Sequence, residues 1–377
     1  MPPSAPAAPV PFLDLAAANA PLKARIMADI GAAIDRSAFI NGPAVAGFEA
    51  DFARYCRARH CVGTASGLDA LRLGLIAAGI EPGDEVVVPA STFVATIEAV
   101  EQAGGVPRIV DVDPVVYAVD HDAVAAAAGP RTRFILPVHL YGQMGDMRRL
   151  SEIAVTLGAE VIEDACQAHG AVRDGVRAGT AGRAAAFSFY PGKNLGAFGD
   201  AGALVTGDAQ LAERVRALRE HGQRRKYQHD EPGYTARLDA LQAIVLSHKL
   251  PWLDRWNWAR RHAAGRYAAA LAGVGDLVLP AVPAGSEPVW HLFVVRTAQP
   301  DALAAFLDGR GIATGRHYPQ PIHLTRAYER LGHTRGEFPV AEALASEALS
   351  LPLFPGISDA QVDAVCDGVH AYFARSR

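Results

Sequence analysis

Only four of the 36 basic side chains in this 377-residue sequence are lysines: Lys23, Lys193, Lys226 and Lys249. Arginine cannot lose its proton in a protein, whereas a desolvated lysine can, and its free amine then attacks carbonyl carbon. A chain this biased toward arginine keeps lysine where the choice is neutral or where an amine has chemistry to do. Lys193 stands in Phe187-Ser188-Phe189-Tyr190-Pro191-Gly192-Lys193-Asn194-Leu195-Gly196-Ala197-Phe198-Gly199-Asp200, a short apolar run that spills into a glycine-rich loop. That context fits an amine presented from a strand end, and equally a charged group on a tight surface turn.

Three other features carry chemistry. In Gly63-Thr64-Ala65-Ser66-Gly67-Leu68-Asp69-Ala70-Leu71, Ser66 and Gly67 precede an apolar-periodic helix. Free N–H groups at that end, with the helix dipole, make a phosphate seat; Ser66 with Asp69 three residues on also reads as an ordinary cap. There is neither a GxGxxG fingerprint nor a GxxxxGK[ST] loop. Phe93, just past a run ending at Pro89, can lie on a planar ligand or fill a core. In Val161-Ile162-Glu163-Asp164-Ala165-Cys166-Gln167-Ala168-His169-Gly170 a strand delivers two acids to its end. Buried carboxylates need partners: Asp164 could face a pyridinium N–H, or either acid could form a structural ion pair. A phosphate seat, a stacking ring, a carboxylate for a ring nitrogen and a lysine for an aldehyde are together the demands of pyridoxal phosphate.

These residues must be positioned by a common scaffold. From about Phe48 to Asp208 short β-branched runs alternate with longer helical patterns, as a mostly parallel α/β sheet requires. The runs Glu85–Pro89, Arg108–Val112, Phe134–Val138, Glu160–Glu163, Ala185–Phe189 and Ala203–Thr206 read as strands, and Thr92–Ala103 and Met147–Leu157 as helices. A helical region from Ala236 to Leu271 is broken at Pro251, and His291–Arg296 is the clear strand of a smaller α/β unit. The expected division is a large domain over residues 1–250, with residues 1–25 as an N-terminal arm, and a small one over 251–377. In such sheets ligands bind beyond the carboxyl ends of the strands, where the four features fall.

Bulk properties narrow the class. The chain is 50% hydrophobic with net charge −4, and no basic stripe suggests a nucleic-acid partner. No apolar run reaches membrane-spanning length, and Met1–Val10 lacks the pattern of a secretory signal. Cys56, Cys61, Cys166 and Cys366 show no CxxC pair and no metal spacing, and read as buried thiols in a reducing cytoplasm.

The whole chain from about residue 10 resembles the DegT/DnrJ/EryC1/StrS family of sugar aminotransferases, which are fold-type I pyridoxal phosphate enzymes. The resemblance is carried by Pro11–Leu15, Phe39–Pro43, Val86–Thr92, Pro137–Gln143, Glu163–Gly170, Ser188–Asn194, Arg237–Ala243 and Leu349–Pro352. Lys193–Asp200, Lys226–His229 and His317–Leu324 further resemble members that aminate the C-3 keto group of dTDP-linked deoxysugars. The resemblance implies a large domain with a mostly parallel mixed sheet flanked by helices, a smaller C-terminal α/β domain, and a homodimer with active sites at its interface.

By the same resemblance, Lys193 would condense with the cofactor aldehyde and Asp164 would keep the ring nitrogen protonated. Gln167 would lie near the phenolic oxygen, Phe93 would stack on the ring, and Ser66, Gly67, Leu68 and Ser188 would surround the phosphate. Tyr190, His317, Tyr318 and His323 would face the sugar, with Lys226 and Tyr227 toward the nucleotide. Related sequences read Gly-Thr at Gly67-Leu68, and Asn at Thr235, a position implied to reach the partner's cofactor phosphate; both changes remove a donor. The implied reaction takes an amino group from L-glutamate to a 3-keto sugar nucleotide, with a 4-keto sugar nucleotide or an aminocyclitol precursor (scyllo-inosose) as the alternative acceptor. His139 reads as a satisfied core histidine.

Overall fold

The structure, a computed structural model, describes residues 9–375; of the expected arm over 1–25, residues 1–8 lie outside the described residues. Seven strands form the central sheet: β1 (His60–Thr64), β2 (Glu85–Pro89), β3 (Val106–Val110), β4 (Thr132–Ile135), β5 (Glu160–Asp164), β6 (Ala184–Ser188) and β7 (Gly202–Thr206). Their spatial order is β1-β7-β6-β5-β4-β2-β3. The pairs from β6 to β3 are parallel, and β7 runs antiparallel between β6 and β1. The sheet is therefore mixed and mostly parallel.

Side chains alternate between two apolar layers, as a sheet covered on both faces demands. Val86, Val88, Phe134, Ile162, Ala184, Ala186 and Leu204 face one layer. Val87, Ile135, Val161, Ala185, Phe187, Ala203 and Val205 face the other. β1 was not among the expected strands: its five residues include Gly63 and bracket a single buried valine, and its place is set by nonlocal pairing with β7. The row Thr64–Gly202–Ser188 crosses the sheet there, so the turn after β1 lies beside the end of β6.

Helix α1 (Gly67–Ala78) follows β1, and α2 (Ala95–Gln102) follows β2. The expected start of α2 at Thr92 is three residues early, because Thr92 to Val94 form a turn that leads into the helix. The long region to Leu271 divides into α3 (Ala240–Lys249), a 3-10 turn Leu250–Trp252 and α4 (Leu253–Leu271). Pro251 sits in the first turn of the new segment, where a missing N–H removes no bond. Residues Ala236 and Arg237 are extended, not helical, and pair with Ala65 and Thr64.

Beyond α4 a two-stranded antiparallel sheet, Phe293–Arg296 with Ala348–Leu351, packs with Tyr267, Leu271, Leu303, Val362 and Val369 in a separate apolar cluster. His291, expected within that strand, turns away toward Asn194. No helix among the described residues is long and apolar enough to cross a membrane.

Candidate active site

The carboxyl ends of β1, β2, β5 and β6 converge on one edge of the sheet. The glycine-rich loop after β6 turns sharply: a Cβ on Gly196 would stand 2.2 Å from the Pro191 carbonyl oxygen. Lys249 Nζ, on α3, donates to the Gly196 carbonyl at 2.6 Å and holds the loop from behind. Asn194 anchors it on the other side, donating to Asn257 Oδ1 and the Val289 carbonyl, each at 2.9 Å.

The loop so fixed presents Lys193. Its amine forms no hydrogen bond or ion pair with any described residue. Dense packing withdraws it from bulk water and pushes its pKa below the ordinary lysine value, with Cys166 and Asp164 partly opposing that shift. Desolvation thus favours the neutral, nucleophilic amine.

Asp164 is buried at the end of β5. Its Oδ2 accepts from the Thr96 hydroxyl at 2.8 Å and its Oδ1 from the Cys166 N–H at 3.1 Å. Glu163, one residue earlier, takes no part in this cluster. Its carboxylate accepts from the Gly179, Ala181 and Gly182 N–H groups at 2.8–2.9 Å and pairs with His139 Nε2 at 2.9 Å. Between the two acids, Glu163 is the structural one and His139 is its core partner.

The turn after β1 packs directly on this group. A Cβ on Gly67 would lie 2.7 Å from Ser188 Cβ and 2.8 Å from Cys166 Sγ, so only glycine lets α1 begin here. Ser66 is the cap of α1: its oxygen accepts from the Asp69 N–H at 3.0 Å, and its hydroxyl donates to Asp69 Oδ2 at 3.0 Å. The cap and the expected phosphate seat are the same turn. With the Ser66 hydroxyl engaged, the first-turn N–H groups of Gly67 and Leu68 and the Ser188 hydroxyl are the remaining donors. Leu68 itself packs on the apolar layer.

Gln167 accepts from the Tyr141 N–H at 2.7 Å and donates to the Tyr318 hydroxyl at 3.2 Å. Burial, with Asp164 and Cys166 adding to it, pushes the Tyr318 phenol up to about 12. Phe93, half exposed, has its ring 5.5 Å from that of Tyr318. His317 stacks on Phe12 at 5.6 Å and pairs with Ser350 Oγ at 2.9 Å. Burial first, then Lys193, holds its imidazole below the usual histidine range.

Asp164, Gln167, Ser66, Gly67, Ser188, Phe93, Tyr318, His317 and Lys193 thus form one linked group. Tyr190 lies next to it, exposed on the loop. His323 is buried, and its Nε2 turns to Glu342 at 3.1 Å while its Nδ1 has no partner. Thr235, Lys226 and Tyr227 bond elsewhere within the chain. Thr235 Oγ1 pairs with His221 Nε2 at 3.1 Å, and Lys226 lies over the ring of Tyr227, which is 80% exposed on the hairpin Gln223–His229.

Residues 21–370 match the model of the DegT/DnrJ/EryC1/StrS aminotransferase family. The chain belongs to that family. The DegT/DnrJ/EryC1/StrS chain is 48% identical over 366 residues to the dTDP-3-amino-3,4,6-trideoxy-alpha-D-glucose transaminase of Streptomyces venezuelae, covering 97% of each. It superposes with a TM-score of 0.95 on a crystal structure of S. venezuelae DesV in complex with a ketimine intermediate, at 48% identity and covering 97% and 98% of the two chains. A structure of ntda from Bacillus subtilis with bound cofactor PMP matches with a TM-score of 0.91 and 32% identity, over 98% of this chain and 86% of that one. The protein is an aminotransferase, built on the mixed sheet of fold-type I.

Sequence reasoning missed four groups in this aminotransferase site. Thr92 and Thr96 hold Asp164. Tyr141 reaches Gln167 through its N–H and the His317 carbonyl through its hydroxyl. Cys166, expected as a buried thiol, is only partly buried and lies against Gly67. The i, i+4 spacing of two threonines at the start of a buried helix was the available signal, since a buried hydroxyl must find a partner.

Proposed function

We propose that the protein binds pyridoxal phosphate through Lys193 and transfers the amino group of L-glutamate to the C-3 keto group of a dTDP-linked keto-deoxysugar. The observation that carries this reading is the pairing of a desolvated, unbonded Lys193 amine with a donor-fixed Asp164 carboxylate across one cluster. The 48% identity to a dTDP-sugar C-3 transaminase supports the substrate class.

The residues present fit the cofactor. The glycine-only contact of Gly67 with Ser188 leaves a cradle of N–H and hydroxyl donors, and Phe93 with Tyr318 offers aromatic surface. When bound, pyridoxal phosphate supplies an aldehyde that condenses with amines and a protonated ring that accepts an electron pair. Asp164 would lie at the ring nitrogen and keep its proton there. Gly67, Leu68 and Ser188 would hold the phosphate, and Gln167 would lie near the phenolic oxygen. Lys193 Nζ removes the proton from the α-carbon of the amino donor, a task for which a neutral amine is required. Tyr190, His317, Tyr318 and His323 surround the sugar.

Thr235 reaches the cofactor phosphate of a second subunit, and Lys226 and Tyr227 meet the nucleotide. Phe39, Ile40 and Phe198 are 42%, 53% and 47% exposed. All three are held at the first turn of α3, through the Ala240 N–H, the Asp239 backbone and Gln242. Such an apolar patch beside the Lys193 loop fits a homodimer interface. A division into a large domain to residue 250 and a small one from 251 is part of this reading, and the apolar cluster around Phe293 and Tyr267 supports it.

The test is a two-stage incubation. Glutamate should convert the pyridoxal form of the purified protein to the pyridoxamine form and release 2-oxoglutarate. The aminated protein should then act on a dTDP-linked 3-keto sugar. Amination of only a 4-keto sugar nucleotide or scyllo-inosose would overturn the C-3 assignment.

A further inference from the structure

The acid proposed for the ring nitrogen is held by a hydroxyl pair that no part of the reaction described above uses. Thr96 Oγ1 lies 2.8 Å from Asp164 Oδ2, and Thr92 Oγ1 lies 2.7 Å from Thr96 Oγ1. All three side chains are buried. A carboxylate only accepts hydrogen bonds and a hydroxyl has one proton. Thr96 therefore gives its proton to Asp164, and Thr92 must give its own to Thr96. The direction Thr92→Thr96→Asp164 follows from proton count alone.

A donor chain in a dry interior strengthens its last bond, because each hydroxyl polarises the next. The other carboxylate oxygen of Asp164 accepts from the Cys166 N–H at 3.1 Å. Two donors from two different elements thus fix the plane of the carboxylate. The same turn carries Phe93, whose carbonyl accepts from the Thr96 N–H at 3.1 Å. One turn at the start of α2 thereby sets both the aromatic ring and the carboxylate.

We propose that Thr96, backed by Thr92, is a positioning residue that aims Asp164 at the ring nitrogen of the cofactor. The proposal rests on the pyridoxal phosphate reading and deepens it. Its specific content is that Thr96 acts through one atom, the ring nitrogen, and not through general support of the cavity.

That content separates it from a structural role. Thr96→Val keeps the shape and removes the hydroxyl; Thr96→Ser keeps the hydroxyl. Each apo-protein is titrated with pyridoxal phosphate and with its carbocyclic analogue, in which C–H replaces the ring nitrogen. Circular dichroism and thermal unfolding check that the variants fold. Thr96→Val should weaken pyridoxal phosphate about tenfold or more, the effect of losing a hydrogen bond to a charged group, and change the affinity of the analogue by no more than about twofold. Thr96→Ser should recover most of the loss, and Thr92→Val should show the same selectivity with a smaller effect. Equal losses for both ligands, or an unchanged affinity for pyridoxal phosphate, would overturn the proposal while leaving the function intact. A wild-type protein that takes up neither ligand would overturn both.

Discussion

Glu163 and Asp164 are consecutive in sequence and bonded on opposite sides of β5. Glu163 accepts from three backbone N–H groups of residues 179–182 and from His139, whereas Asp164 faces Thr96, Cys166 and the Lys193 cluster. The pleat of a strand turns neighbouring side chains to opposite faces, so one short segment supplies both a structural anchor and a chemical group.

The anchor has an acid signature. Burial alone would raise the Glu163 pKa, but the His139 bond and the backbone donors outweigh it and hold the carboxyl below its ordinary 4.5. A folded pKa below the unfolded one gives stability that is present above about pH 4.5 and lost as pH falls further. Glu163→Gln places an amide N–H₂ against N–H donors and should cost about 3 kcal/mol in urea unfolding at pH 8. It should also flatten the loss of stability below pH 4.5. A cost within about 0.5 kcal/mol would contradict the anchor role.

His169 gives a second, separate pH window. Its buried ring packs on Phe187 and Phe189 at 5.3 and 5.7 Å. Burial, with Lys193 adding to it and the Ser188 backbone only partly opposing it, pulls its pKa from 6.5 to about 3. The unfolded chain then takes up the proton first, so stability falls as pH drops below 6.5, by on the order of 2 kcal/mol at pH 5. His169→Leu should remove that slope while changing stability at pH 8 by less than about 1.5 kcal/mol. An unchanged slope between pH 6.5 and 5 would show that His169 is not its source.

At the proposed phosphate cradle, Gly67→Ala puts a methyl group where Ser188 and Cys166 already stand. Overpacking of this kind costs roughly 1–3 kcal/mol, and the displaced Ser188 should weaken pyridoxal phosphate binding beyond the stability loss. Titration of the apo-protein checks it; a fully retained affinity would remove this turn from the site.

The exposed pair Phe39 and Phe198 tests the second subunit. Phe39→Asp with Phe198→Asp should give a folded monomer by light scattering that no longer transaminates. A wild-type protein that is monomeric and active would contradict the shared site.

Much of this arrangement was legible in the residues themselves. The expected helix Met147–Leu157 has those ends in the structure, where Asp146 caps one and Gly158, left-handed, closes the other. β2 was equally plain from its valine run. Lys193 and Asp164 stood out because the chemistry demands those side-chain types. What escaped was nonlocal. Thr96 meets Asp164 across 68 positions of sequence, and Tyr141 meets His317 across 176; no local period encodes such a meeting. β1 escaped because its place is decided by β7. Thr235, Lys226 and Tyr227 bond apart from the cluster within one chain, Thr235 with His221 and Lys226 over Tyr227.

The most direct test uses the scarcity of lysine. Lys249 is also buried, and burial lowers its pKa to about 8, so it is the natural competitor for the cofactor aldehyde. Reducing the pyridoxal phosphate-loaded protein with borohydride and mapping the peptides by mass spectrometry reports which of the four lysines carries the pyridoxyl group. A single label is expected on Lys193, absent from Lys193→Ala; a label on Lys249, or none, would contradict the assignment of Lys193.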